Sequence, residues 1–79
     1  MTNITTTELV NQLRQGTVEV TFTKQNGDTR VMRASLEDSR VTQEEAANAV
    51  RSQTVVSAMD VDLGQWRSIP VNRITQLNA

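Results

Sequence analysis

Between Thr17 and Lys24, apolar Val18, Val20 and Phe22 alternate with polar Glu19, Thr21 and Thr23. Successive strand residues point to opposite faces, so this stretch predicts a strand with one buried face. Asn26-Gly27 follows, a strong hairpin signal because both residue types tolerate the positive φ of a tight turn. The return strand is expected from Thr29 to about Leu36, with Met32, Ala34 and Leu36 on its apolar side. A two-residue Asn26-Gly27 loop would set Phe22 opposite Val31 and Val20 opposite Arg33, turning an arginine to the buried face. Moving the register by one residue sets Phe22 opposite Met32, Val20 opposite Ala34 and Val18 opposite Leu36, and each side chain then takes its proper face. The expectation is a three-residue turn or a bulge at Asn26–Asp28.

The rest of the chain arranges itself around this hairpin. Residues 1–4 read as a frayed lead-in. Thr5-Thr6-Thr7-Glu8 has the form of a capping box, in which the threonine hydroxyl and the glutamate each satisfy a free backbone N–H. Leu9, Val10 and Leu13 form one narrow apolar stripe, and Gly16 suits a helix C-terminus, which predicts a helix over about 5–15. Residues 37–53 break the β pattern and are acidic and polar. Thr42-Gln43-Glu44-Glu45 is a second capping box, followed by the alanine-rich Ala46-Ala47-Asn48-Ala49. This segment is either a short surface helix at about 43–51 or a mobile loop. Strand composition returns at Thr54–Val61 and Trp66–Ile69, separated by a turn at Asp62–Gln65. Pro70 ends the fourth strand because it has no N–H for the ladder. Pro70–Arg73 fits one tight helical turn and Ile74–Leu77 a short last strand. A chain of 79 residues is one domain at most. Five short strands in so small a chain are expected to curl into a barrel, which removes most of the exposed edge. A tight turn before the last strand is the SH3-like arrangement, and a leading helix is its Sm-like variant. The expected fold is therefore mainly β with α: a five-stranded SH3-like (Sm-like) barrel behind an N-terminal helix.

Composition narrows the function classes. The chain has neither cysteine nor histidine, so it has no thiolate nucleophile, no imidazole base and no ordinary zinc ligand set. Two carboxylate pairs, Asp60 with Asp62 and Glu44 with Glu45, are the residues available for acid–base or Mg²⁺ chemistry. Both pairs are expected on solvent-exposed turns, and no Gly-rich phosphate loop is present. The chain reads as non-enzymatic, with no cofactor and no metal. Eight basic residues stand against nine acidic ones, whereas a dedicated nucleic-acid binder carries a basic excess. No stretch approaches the roughly 18 apolar residues of a membrane span, and Met1-Thr2-Asn3-Ile4 lacks the apolar core of a signal peptide.

The candidate binding residues are Trp66, Arg67, Arg73, Arg30 and Arg33. Tryptophan and arginine are the side chains most enriched at binding hot spots, and Trp66 stands next to Arg67 just after a glycine turn. The alternative role for Trp66 is packing against the N-terminal helix. Lys24, Arg30, Arg33, Arg67 and Arg73 all fall in barrel segments, so one side of the barrel could be basic and contact phosphates. Equally, these arginines could pair with Glu19, Asp28 and neighbouring acids on an ordinary mixed surface. Single-strand binding by barrels uses aromatic platforms, and with Phe22 on the apolar face only Trp66 could serve.

The run from Val18 to Arg33 and the run Met59-Asp-Val-Asp-Leu-Gly-Gln-Trp-Arg-Ser-Ile-Pro-Val-Asn-Arg-Ile74 resemble the small phage proteins grouped as WYL-like Sm-like SH3 β-barrels. The resemblance covers about residues 9–36 and 54–77, and the Trp66 to Ile74 segment is its most specific part. The middle, 37–53, departs from the pattern: it is acidic and alanine-rich where such proteins carry a proline- and lysine-rich loop. The resemblance implies the barrel fold and a tailed-phage origin, hence the host cytoplasm, and it supplies no catalytic residues. The expected function is a small phage accessory protein that binds and modulates a host or phage protein. The alternatives are RNA or single-stranded DNA binding by an Sm-like barrel, and a homo-oligomeric structural module joined through strand edges.

Overall fold

A computed structural model describes residues 4–78; most of the expected lead-in, residues 1–3, lies outside them. The elements are α1 (Thr6–Leu13), β1 (Val18–Thr23), β2 (Thr29–Ser35), α2 (Gln43–Ala47), β3 (Val55–Asp60), β4 (Gln65–Pro70), a 3-10 turn (Val71–Arg73) and β5 (Ile74–Asn78). All strand pairs are antiparallel, and the sheet order is β4-β3-β2-β1-β5. The strands β4 and β5 are the outer members of the ladder. Among the described residues, no helix is long and apolar enough to cross a membrane.

Helix α1 begins as the sequence predicts. The Thr5 hydroxyl accepts from Glu8 N–H at 3.1 Å, and the Glu8 carboxylate accepts in return from Thr5 N–H. The helix stops at Leu13, two residues short of the expected end, with Arg14 as its C-cap. The chain then turns early enough for Leu36 N–H to donate to the Leu13 carbonyl at 3.0 Å, which ties the helix end to the end of β2. Leu9, Val10 and Leu13 are buried and belong to the same core cluster as Val20, Met32, Val56 and Ile69.

The β1–β2 register differs from the expected one. Val20 faces Met32, Val18 faces Ala34, and Phe22 faces Arg30, two residues away from the predicted partners. The loop has three residues, as expected, but they are Gln25-Asn26-Gly27 rather than Asn26–Asp28. Lys24 N–H donates to Asp28 C=O at 2.8 Å, and Gly27 N–H donates to Lys24 C=O at 3.0 Å. Gly27 takes φ +92°, the left-handed position that closes a three-residue hairpin. A shift of two residues preserves facing, so Arg33 still points outward, and Arg30, which shares the face of Met32 and Ala34, now lies opposite Phe22. Leu36 lies just beyond the strand and is buried without a β1 partner.

Strand β5 solves a spacing problem. Ile74 and Leu77 are three residues apart, an odd spacing that a regular strand would split between two faces. The register with β1 shifts between Thr21 and Phe22, so Val20 faces Leu77 while Phe22 faces Ile74. Thr75 is the extra residue of this bulge, and its hydroxyl donates to Thr21 C=O at 3.4 Å.

The polar excursion contains a real but short helix. Its Thr42–Glu45 capping box is complete, and Asn48 Nδ2 donates to Glu44 C=O at 3.0 Å at its end. Helix α2 stops at Ala47 rather than near 51, because the following residues pair with β3: Ser57 N–H donates to Ala49 C=O at 2.7 Å, and Val50 bridges to Val56. Ala46 and Ala49 are buried in the core cluster.

A candidate binding site at the β1–β2 and β4 end

Strand alternation decides how β4 presents its two most prominent residues. Arg67 lies opposite Ala58 and Trp66 opposite Met59, so the adjacent pair points to opposite faces. The expected joint Trp66–Arg67 surface is therefore not formed. Each residue lines a different concavity.

Trp66 is half-buried and packs at the margin of the core. It lines an open concavity of about 510 Å³ between α2 and the β3–β4 pair, together with Glu44, Glu45, Asn48 and Arg51. This surface is acidic around its aromatic residue, unlike the basic platform that a nucleic-acid strand requires.

Arg67 lines a second concavity, of about 370 Å³, at the end where the β1–β2 hairpin approaches β4. Phe22, Val55 and Pro70 supply apolar wall, and Lys24, Arg30 and Arg67 supply positive charge. Arg30 arrives here because the hairpin register places it opposite Phe22. Its Nη2 lies 3.5 Å from the Asp60 carboxylate. Arg67 has no such partner among the described residues. Its Nη2 donates to the neutral Gln65 side chain at 2.8 Å, and its Nε–H is buried without an acceptor among the described residues.

The remaining arginines lie elsewhere. Arg33 is exposed on the outward side of β2, opposite Glu19, and pairs with Asp62 at 3.2 Å. Arg73 is exposed in the 3-10 turn. Of the five residues singled out from the sequence, the fold brings together Arg30 and Arg67. Lys24 completes the cationic wall, and Phe22, Val55 and Pro70 were not foreseen as lining. The period-2 rule applied to β4 would have placed Arg67 with Ile69 and away from Trp66.

Of the paired carboxylates, Asp60, Asp62 and Glu45 make contacts within the fold. Asp60, expected on an exposed turn, is buried at 3% exposure. Its Oδ1 accepts from Asp62 N–H and Leu63 N–H, both at 3.1 Å, and thereby shapes the β3–β4 turn. A second clamp holds the same turn from outside. Arg40 Nε and Nη2 grip the two Asp38 oxygens at 2.8 and 2.9 Å, and Nη2 also donates to Val61 C=O. This pairing draws the Asp38 carboxyl down to about 2 and raises the Arg40 guanidinium.

Residues 6–75 match the family model described as WYL_2, Sm-like SH3 beta-barrel fold. No curated protein matches the chain, and no solved structure does.

Proposed function

The chain belongs to the WYL_2 family of Sm-like SH3 β-barrels, and on that premise we propose that it is a non-enzymatic phage accessory protein that binds a host or phage protein and alters its activity. The observation that carries this reading is the mixed character of the Arg67 concavity, with Phe22, Val55 and Pro70 beside Lys24, Arg30 and Arg67. A pocket with an apolar wall and a few fixed polar groups suits side chains of a protein. A nucleic-acid strand asks instead for a row of free cations and an exposed stacking surface. Here Arg33 and Arg40 are paired with aspartates, Phe22 is 5% exposed, and Trp66 opens on the acidic side. The phage setting, and with it the host cytoplasm, rests on the resemblance of the Val18–Arg33 and Met59–Ile74 segments to small phage proteins.

Affinity capture from host lysate, with and without nuclease, tests the proposal. A discrete protein retained after nuclease treatment is the expected result. Retention that disappears with the nuclease would assign the barrel to RNA or single-stranded DNA. Self-assembly is a second reading, favoured by one feature: β4 and β5 end the ladder, each paired with a strand on one side only among the described residues. Mass measurement in solution across a range of concentrations separates a monomer from such an assembly.

A further inference from the structure

We propose that the concavity lined by Phe22, Lys24, Val55, Arg67 and Pro70 takes a carboxylate from an acidic segment of the partner protein, with the Nε/Nη2 edge of Arg67 as its receptor. The proposal deepens the protein-binding reading and rests on it.

Arg40 shows what an arginine edge does when fully matched: Nε and Nη2 each hold one oxygen of Asp38. Such two-point pairs are the strong form of arginine–carboxylate contact. On Arg67 the same edge is half filled. Nη2 has a neutral amide oxygen from Gln65, and Nε–H has nothing. A buried donor without an acceptor is costly, and a hydrogen bond to a charged group is stronger than one to an amide. Gln65 is exposed and free to leave. A carboxylate entering the mouth displaces it from Nη2 as the guanidinium turns to bring Nε–H to the second oxygen. Lys24, exposed at the rim, adds attraction from the hairpin side. Arg30 is already held by Asp60 and contributes background charge. The apolar wall of Phe22, Val55 and Pro70 calls for an aliphatic or aromatic side chain next to the acidic one. A single uncommitted guanidinium matches one carboxylate better than a repeating phosphate chain.

The test is a nuclear magnetic resonance titration of the nitrogen-labelled full chain. The probe is an acetylated, amidated pentapeptide with one glutamate between leucines, and the comparison is the same peptide with glutamine. Saturable shifts are expected at the amides of Phe22, Val55 and Ser68 and at the Arg67 Nε–H signal. The glutamine peptide should bind roughly tenfold more weakly, the effect of one charge-assisted hydrogen bond. Arg67→Gln should abolish the difference between the peptides. Lys24→Gln, which changes only an exposed side chain, should reduce it. Arg33→Gln, on the other side of the sheet, should leave it intact. Equal binding of both peptides, no response at these residues, or displacement of the same signals by oligothymidylate in preference to the peptide would overturn the assignment. If lysate capture succeeds equally with wild type and Arg67→Gln, protein binding stands and this pocket is not its receptor. If capture yields no protein, the broader reading falls whatever the peptide does.

Discussion

The Oδ2 of buried Asp60 lies 3.5 Å from Arg30 Nη2, while Oδ1 of the same carboxylate accepts two backbone N–H groups of the β3–β4 turn. One side chain thus joins the second strand of the hairpin to the turn that positions β4. Asp60→Ala removes both acceptors and leaves Arg30 facing the core side unpaired. The expected loss is about 2–3 kcal/mol, measured by urea denaturation. Asp60→Asn keeps an oxygen for the turn and should cost less. Equal stability of wild type and Asp60→Ala would refute the role.

The same turn needs glycine at position 64. Gly64 takes φ +68°, and an added Cβ would stand 2.8 Å from Arg40 Nη1. The guanidinium can shift, but the backbone cannot leave the left-handed region without unmaking the turn. Gly64→Ala should therefore cost about 1–2 kcal/mol, read as a lower thermal midpoint.

The Asp38–Arg40 pair predicts an acid-sensitive clamp. The Asp38 carboxyl is held near 2, below its ordinary 3.8. A depressed acid contributes stability that is fully present above the unfolded value, and that contribution is lost as pH falls through the folded one. Asp38→Asn removes it at every pH. The denaturation midpoint of wild type should exceed that of Asp38→Asn at pH above about 4, and the gap should close as pH drops toward about 2. A gap that stays constant over this window would show that the ion pair is not responsible.

Trp66 reports on α2 because both border one concavity. Thr42→Ala deletes the N-cap acceptor of α2 and should weaken that helix by about 1 kcal/mol. Since Trp66 is the chain's single tryptophan, fraying of α2 should shift its fluorescence toward longer wavelength with the barrel still folded. Unchanged emission would mean that α2 does not shelter the indole.

The elements of this fold were legible because each carries a local signal. The Thr5 and Thr42 boxes, the alternation in β1 and the Pro70 stop depend on residues adjacent in sequence. The hairpin register was not legible to the residue. Facing follows from alternation, and registers two apart satisfy it equally. Keeping Arg33 outward could not separate them. In the register that forms, Arg30 stands opposite Phe22 on the inner side and is paired with Asp60, thirty positions along the chain. That partner is invisible to any reading of the hairpin by itself. The candidate site suffered from the same limit and from an avoidable one. Proximity in sequence made Trp66 and Arg67 look like one surface, whereas neighbours on a strand face apart. The rest of the mouth is assembled by the hairpin, β3 and β4 meeting in space.

The segment between Leu36 and Val55 has the properties of an exchangeable part. It sends only the small side chains of Ala46 and Ala49 into the core cluster, with Val41 at its margin, and its helix is capped by its own residues. Backbone bonds that do not depend on its side chains also anchor it, such as Leu36 N–H to Leu13 C=O and Ser57 N–H to Ala49 C=O. Beyond the Asp38–Arg40 clamp, mutation can therefore rewrite the charge of this insert without retuning the barrel, so that recognition on the Trp66 side can change while the Arg67 mouth stays under the separate constraint of the hairpin.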